Sequence, residues 1–333
     1  AFTKPDRPLR GLRAYLVYRV TMGNFLRNFN FDQLSFWMGF LAGSLFWLLA
    51  RMMAPALSRM QKAMAAQART GRGERMRASE IRLSNDMLRQ AQGWHLASVL
   101  FSLDEIIVTP RLLAPPVPPE AEGGAADVDI TDWAIPYTPD WPEIGSRYGA
   151  PTLSLAEALR NNANIAVIGE PGTGKSVTLA HLAAQLIRHE VGAQEFEDVI
   201  PLLVHAADLV FPGEKASDEN VGLLAPLRNA LALHSEAKTN SVLPRLLPNL
   251  FERNVALILL DGLDEMPPAM VDAVVEYLGK LVEAYPGARV VAAASPHYLG
   301  GLLKLDFFPL AVASWNAEQR SNFLYCWSGV WDR

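Results

Sequence analysis

The sequence lacks the residues that three classes of protein need: paired cysteines for disulfides, clustered Cys and His for zinc, and a net positive charge for binding nucleic acid over the whole surface. Its 333 residues include one cysteine, Cys326, which excludes an internal disulfide and is typical of a reducing compartment. The six histidines are scattered, so no Cys/His group has the spacing of a zinc site. A net charge of −5 argues against a surface that binds nucleic acid throughout. No fixed-period repeat is present, and the length suits about two domains.

Charge is also absent between Gln33 and Ala50. A helix over these residues is ~27 Å long at ~1.5 Å per residue, close to the ~30 Å hydrocarbon core of a bilayer. Aromatic residues belong at membrane interfaces, and four lie near the ends of this segment: Phe36, Trp37, Phe46 and Trp47. Residues 33–54 therefore predict a transmembrane helix that contacts the lipid bilayer and follows a basic segment, residues 1–32. Two alternatives fit the composition: a buried core helix or, if Met22 is the start, a signal peptide.

Basic residues flank the apolar segment on both sides. The N-terminal flank has Arg19 and Arg27 opposed by Asp32, whereas the C-terminal flank carries four basic residues and no early acid: Arg51, Arg59, Lys62 and Arg69. The positive-inside rule then predicts a single-pass protein of the cell (inner) membrane, with the C-terminal side cytoplasmic. Gly39 and Gly43 share one helix face with Ser35, and this small-residue face predicts self-association.

Two segments of different composition come next along the chain. Residues 55–112 predict a juxtamembrane helical region whose basic first half suits anionic lipid headgroups or, equally, a solvated stalk. Gly71 and Gly73 predict a break in that helix. Residues 113–150 are rich in Pro and Gly and predict a linker and a domain boundary.

The most informative motif is an eight-residue phosphate-binding loop (P-loop) between a predicted strand, residues 164–168, and a predicted helix, residues 177–188. It reads Gly169-Glu170-Pro171-Gly172-Thr173-Gly174-Lys175-Ser176, followed by Val177. Its backbone N–H groups and the helix N-terminus would cradle phosphates. Lys175 would contact the β- and γ-phosphates, and the Ser176 hydroxyl would ligate Mg²⁺. These residues predict binding of ATP or GTP with Mg²⁺.

A second motif lies after an apolar run of strand type, residues 255–260. Asp261 ends that strand at the carboxyl edge of the predicted parallel sheet, where it could hold Mg²⁺ through water opposite Ser176. Asp264 and Glu265 come three and four residues later, and either could polarise a water for attack on the γ-phosphate. Both are therefore candidate catalytic residues.

These two motifs together resemble the NACHT group of STAND signalling NTPases, in which a small residue follows the Mg²⁺ aspartate and acids follow it three and four positions on. Gly262, Asp264 and Glu265 fit that pattern, and the resemblance covers residues 153–327. Weaker matches are three strands, residues 199–205, 289–294 and 309–312. The resemblance implies an α/β P-loop NTPase with a mainly parallel sheet flanked by helices at 151–315, and the start of a helical lid at 316–333.

The chain departs from that family after the strand at 289–294. NACHT domains usually carry an arginine there that senses the γ-phosphate, and this chain has Ser295, with His297 nearby as a possible substitute. Binding should survive the change because the P-loop and Mg²⁺ contacts do not depend on that residue. Hydrolysis is expected to be slow, because Ser295 stands where the arginine would sense the γ-phosphate.

Three functions are compatible with these residues. The first is a membrane-anchored NACHT-type switch, for which the resemblance implies oligomerisation through the NTPase domain and a C-terminal sensor beyond the present sequence. No specific nucleic acid is expected as a partner. The second is a membrane-tethered AAA-type remodelling ATPase, although such motors usually carry Asp-Glu directly after the strand. The third is a non-hydrolysing structural module, for which the missing arginine is the best support.

Overall fold

The computed structural model describes residues 33–115, 145, 150–191, 196–211, 222–296 and 299–331. Of these, residues 33–73 belong to one compact unit and residues 74–331 to another. The first unit is helical throughout its described residues, whereas the second contains the β-sheet.

Helix α1 is the longest element and spans Gln33–Gln92. Within the described residues, one stretch of it, Phe36–Met53, has the length and the mean hydropathy of 1.4 that allow a helix to cross a membrane, and none of that stretch is buried. The break predicted at Gly71 and Gly73 was wrong, because the helix runs through both residues. A helix interior tolerates a glycine at a cost of about 1 kcal/mol, which a long helix absorbs.

Seven strands form one mixed sheet in the second unit. They are β1 (Leu112–Leu113), β2 (Thr152–Leu153), β3 (Ile165–Ile168), β4 (Ile200–His205), β5 (Ala256–Asp261), β6 (Arg289–Ala294) and β7 (Phe308–Val312). Their order is β2-β1-β7-β3-β6-β5-β4. The five strands from β7 to β4 are parallel, whereas β1 pairs antiparallel with both β7 and β2. The predicted α/β fold with a mainly parallel sheet is therefore confirmed.

Nine further helices connect or flank these strands in the described residues. They are α2 (Leu103–Ile106), α3 (Leu155–Ala158), α4 (Lys175–Ile187), α5 (Ala225–His234), α6 (Ala237–Asn240), α7 (Leu243–Glu252), α8 (Pro268–Ala284), α9 (Leu299–Leu303) and α10 (Ala317–Trp331). Three short 3₁₀ turns occupy Leu159–Asn161, Ala206–Asp208 and Leu263–Glu265.

The central strands are apolar at nearly every position because both of their faces are buried. Each residue of β3, β5 and β6 is buried. Such strands read as continuous apolar runs rather than alternating ones, which is why they could be located well from the sequence. Their carboxyl ends lie at one edge of the sheet, and both sequence motifs begin there.

The last part of α1 belongs to the same core. Leu83, Met87 and Ala91 are fully buried and recur every four residues, so they form one stripe of the helix. The predicted boundary within 113–150 falls mostly on residues outside the described ranges and stays a prediction. On its N-terminal side, the residues from Glu74 onward group with the sheet.

Candidate nucleotide-binding site

The P-loop connects β3 to α4 in the way its sequence predicts. Strand β3 ends at Ile168, and α4 begins at Lys175 with Gly174 as its N-cap. Gly174 has φ of 92° and Gly172 has φ of 83°, a left-handed conformation that side chains other than glycine rarely adopt. A Cβ atom at either position would meet nothing within 4 Å. The loop therefore leaves open space beside its backbone for a ligand.

Lys175 is the buried cation of this loop. Only 6% of its surface is exposed. Its Nζ donates to the carbonyl oxygens of Gly169 and Glu170 at 2.8 and 3.1 Å and lies 3.0 Å from Asp264 Oδ2. A buried ammonium needs oxygen partners, and these three supply them. Phosphate oxygens are the same kind of partner, so the environment fits a triphosphate.

Asp261 lies at the end of β5 with 4% of its surface exposed. Its Oδ2 accepts a hydrogen bond of 2.7 Å from the indole N–H of Trp94. Ser176 lies half-buried in the first turn of α4. A carboxylate and a hydroxyl are hard oxygen donors, and Mg²⁺ in nucleotide sites is typically held by one or two such groups together with phosphates and water. Ser176 and Asp261 therefore fit the ion.

A denser set of ligands is not found. Among the described residues there is no group of three or more His, Cys, Asp or Glu side chains that could hold a metal ion on their own. Mg²⁺ that arrives with a nucleotide needs no such group, since the phosphates supply the remaining charge.

The 3₁₀ turn after β5 directs its two acids to different partners. Asp264 pairs with Lys175, whereas Glu265 Oε2 lies 3.4 Å from His205 Nε2 at the end of β4. His205 Nδ1 accepts from the backbone N–H of Ala207 at 3.2 Å, so the neutral ring carries its hydrogen on Nε2 and donates towards Glu265. Glu265 remains 68% exposed in its side chain and can therefore reach solvent water.

Trp94 is a contact of this site that sequence reasoning missed, because it lies outside both motifs. It comes two residues after the end of α1 and reaches the site from a distant part of the chain. Its ring lies near two histidines, with centroid distances of 6.3 Å to His205 and 6.1 Å to His234. His234 is fixed in turn by Asp208, at 3.0 Å.

A cavity of about 530 Å³ adjoins the P-loop. Its volume falls within the range of roughly 300–1,000 Å³ typical of small-molecule sites. The walls combine the loop with apolar residues of three other segments, among them Ile107, Val108, Val312, Trp315 and Phe323. This composition suits a flat heterocyclic ring next to a phosphate-binding loop.

The remaining predicted position lies at the end of β6. Ser295 is 6% exposed and comes directly after Ala294 at the carboxyl edge of the sheet. His297, the predicted substitute for an arginine, lies outside the described residues. The structure therefore brings together the P-loop, Lys175, Ser176, Asp261, Asp264 and Glu265 at one edge of the sheet and adds Trp94 and His205 to them.

Comparison with known proteins agrees with this geometry. Residues 159–297 match a protein family described as an AAA domain. That segment contains both motifs and strands β3 to β6, so it is a P-loop NTPase domain. No curated protein matches the chain. The family match is equally compatible with a NACHT-type switch and with an AAA-type ATPase.

Proposed function

We propose that this chain is a membrane-anchored nucleoside triphosphate-binding switch of NACHT type, which binds ATP with Mg²⁺ and hydrolyses it slowly. The observation that carries the proposal is the contact of 3.0 Å between Lys175 and Asp264. It joins the two sequence motifs through the acid that lies three residues after Asp261. This spacing is the one in which the chain resembles NACHT domains.

The same contact supports a two-state element. In the structure, Lys175 has Asp264 as its anionic partner. A bound triphosphate offers Lys175 a more highly charged partner and frees the Asp264 carboxylate to contact the attacking water. A ligand biases two states only through its different affinity for each, and the exchange of partners at Lys175 provides that difference.

The residues assign the remaining roles. The P-loop from Gly169 to Val177 holds the phosphates, and Ser176 and Asp261 hold Mg²⁺, which neutralises phosphate charge when bound. Glu265 is the candidate for orienting water, since its side chain is exposed and its Oε2 lies 3.4 Å from His205 Nε2. Slow turnover is expected because Ser295 replaces a cationic sensor.

The cavity beside the P-loop supports ATP over GTP. Guanine offers an N1–H and an amino group that a carboxylate would satisfy, and no acidic residue lies among the described residues lining this cavity. Adenine stacks on apolar and aromatic walls such as those of Trp315 and Phe323.

The first 54 residues support the membrane part of the proposal. The stretch Phe36–Met53 is long and apolar enough to cross a bilayer. The basic residues after it favour a cytoplasmic NTPase domain, where nucleotide is available. Homo-oligomerisation through the NTPase domain and through the Gly39 and Gly43 helix face belongs to the same proposal.

A second candidate is a membrane-tethered AAA-type remodelling ATPase, with which the family match over residues 159–297 is equally compatible. The two candidates differ in turnover. A motor releases phosphate continuously, whereas a switch retains its nucleotide.

The test measures binding of a fluorescent ATP analogue and release of phosphate by the full chain in detergent or nanodiscs. Lys175→Ala should abolish binding, and Lys280→Ala, which changes an exposed lysine paired with Glu276 at 2.7 Å, should leave it unchanged. Wild type should release phosphate slowly, and Glu265→Gln should reduce that rate further.

Unchanged affinity in Lys175→Ala would refute the site. Equal, background-level release by wild type and Glu265→Gln would favour a structural nucleotide module, and rapid continuous release would favour the motor.

A further inference from the structure

Trp94 makes a short contact with the proposed Mg²⁺ carboxylate, although it belongs to neither motif. Its indole N–H donates to Asp261 Oδ2 at 2.7 Å. We propose that Trp94 is a positioning residue of the Mg²⁺ site, which fixes the orientation of the Asp261 carboxylate and so ties the end of α1 to nucleotide binding. The inference rests on the proposed function, since it concerns the ion that accompanies the nucleotide.

The geometry allows the hydrogen bond and the ion to be present together. A carboxylate has two oxygens, and the bond from Trp94 uses Oδ2 alone. Mg²⁺ held directly or through a water needs one oxygen of the aspartate. Hydrogen-bond donors behind a metal-ligating carboxylate set its rotamer, and they are as much a part of a metal site as the ligands.

Burial makes this bond necessary. Asp261 is 4% exposed, so its charge has little contact with bulk water. A buried carboxylate without donors is strongly unfavourable, and a charge-assisted N–H···O bond of this length offsets part of that loss. Without the indole N–H, the Asp261 side chain would lose the donor that holds one of its oxygens.

Trp94 is held as part of the core. The helix before it is anchored by Leu83, Met87 and Ala91, all fully buried. The backbone N–H of Trp94 donates to Ala91 O at 3.1 Å, which places the indole directly after the anchored turn. A residue anchored in this way is suited to keep its hydrogen bond to Asp261 when Mg²⁺ binds, and not to be displaced by the ion.

The rings of His205 and His234 pack beside the indole at 6.3 and 6.1 Å. A phenylalanine at position 94 would keep an aromatic ring near both of them and remove only the donor and part of the ring volume. Trp94→Phe is therefore the substitution that separates the hydrogen bond from the packing.

The experiment uses the full chain in nanodiscs and a fluorescent ATP analogue. Nucleotide affinity is measured in EDTA and over a series of free Mg²⁺ concentrations. Trp94→Phe should weaken the apparent affinity for Mg²⁺ in the presence of nucleotide by about tenfold or more, as is typical when an outer-shell partner is lost. Affinity in EDTA should be unchanged. The matched control, Trp47→Phe, removes an indole N–H from the predicted membrane segment and should change neither quantity.

A double-substitution cycle with Asp261→Asn checks that the effect passes through that carboxylate. In the Asp261→Asn background, Trp94→Phe should have little further effect on Mg²⁺ dependence, because coupled residues are non-additive. Additive effects would show that Trp94 acts elsewhere and would overturn the proposal.

A measurement on the wild type avoids dependence on a variant that could fail to fold. Hydrogen exchange of the backbone amides in residues 93–101 should not become faster when Mg²⁺ and nucleotide are added, while residues 169–178 become protected. Faster exchange at 93–101, or tighter Mg²⁺ binding by Trp94→Phe, would mean that the indole competes with the ion. If residues 169–178 gain no protection from hydrogen exchange, the proposed function is refuted, and the positioning role of Trp94 is refuted with it.

Discussion

Gly262 and His205 lie so close together that the turn after β5 and the end of β4 constrain each other. A Cβ atom at position 262 would fall 2.1 Å from His205 Nε2. Gly262 also has φ of 77°, in the left-handed region. The residue directly after Asp261 is therefore restricted to glycine by its surroundings in this chain.

Gly262→Ala should destabilise the fold, because the new methyl group must displace His205 and the backbone is strained as well. The free energy of unfolding should fall by about 2 kcal/mol or more, a sum of left-handed strain and overpacking. Denaturant unfolding followed by circular dichroism measures this. Gly300→Ala is the control: it lies in α9, where an added Cβ meets nothing within 4 Å, and should be neutral or stabilising. Equal stability of the two variants would contradict the packing argument.

His181 on α4 gives the fold a pH dependence. Burial lowers the pKa of His181 below its ordinary value of 6.5, against the opposing charges of Asp104 and Glu190. As the pH falls below that value, the unfolded chain takes up a proton that the folded chain excludes, so stability is lost. Asp104 does not add to this loss, since its hydrogen bond from Arg188 lowers the pKa of that carboxyl below 3.8.

The corresponding variant is His181→Phe, which removes the titrating ring and keeps an aromatic side chain. The denaturant midpoint of the wild type should decrease as the pH falls from about 7.5 to about 5.5, a window that spans the ordinary histidine pKa, and the decrease should be smaller in His181→Phe. Identical decreases in both chains would assign the effect to other groups.

Most of the candidate site was predictable at this scale, because its residues belong to two sequence motifs with fixed spacing, the P-loop and the segment from Asp261 to Glu265. Lys175 and Asp261 follow from the motifs alone. The Trp94 bond to Asp261 was not predictable, since 167 residues separate the partners and nothing around Trp94 has a motif. The pairing of Asp264 with Lys175 and of Glu265 with His205 depends on the path of one 3₁₀ turn, which spacing does not determine.

The last turns of α1 behave as a core helix of the NTPase unit. Leu83 is fully buried, whereas Ile81, two residues earlier, is 61% exposed. An amphipathic helix of this kind is stabilised by packing of its buried stripe rather than by propensity. The element therefore contributes to the stability of the core that it joins.

Leu83→Ala should lower the free energy of unfolding by about 2–5 kcal/mol, the range for a leucine truncated in a core. Ile81→Ala, a substitution of similar size on the exposed face, should change it by less than about 0.5 kcal/mol. Chemical denaturation of both variants makes the comparison. Similar small effects would mean that this part of α1 adds nothing to the core.

Elements differed in how far they could be predicted from the sequence. Strands β3, β5 and β6 are apolar runs next to motif residues, so both their type and their place could be predicted. Strands β1 and β2 have two residues each, too few for any periodicity. The buried stripe of α1 was missed because Leu83, Met87 and Ala91 lie among mainly charged and polar residues, which resemble a solvated stalk.

The chain divides into two compact units after Gly73, within helix α1. The large exposed apolar side chains described in the first unit lie before residue 54, among them Leu34, Trp37, Phe46 and Met53. The second unit contains the complete sheet and every candidate site residue. Solubility and nucleotide binding should therefore be separable properties of the chain.

A shortened chain that begins at Glu74 should be soluble without detergent and should bind Mg²⁺ and the ATP analogue with the affinity of the full chain. Size-exclusion chromatography and the binding assay check the two statements. A chain that begins at Leu103 lacks the buried stripe and Trp94 and should fail to fold or bind. Full binding by that shorter chain would contradict the place assigned to α1.

The pairing of β1 with β2 bears on how the polypeptide can be cut. Leu113 and Thr152 are directly opposite each other across two antiparallel strands, so the chain leaves the sheet and returns beside its own point of departure. Strand β1 is held on its other side by β7, through Leu112 and Val312. Proteolysis between residues 114 and 151 would then yield two fragments that stay associated and migrate together until denatured. The same neighbourhood is a place where new termini could be opened, or a foreign domain inserted, without separating the halves of the nucleotide site.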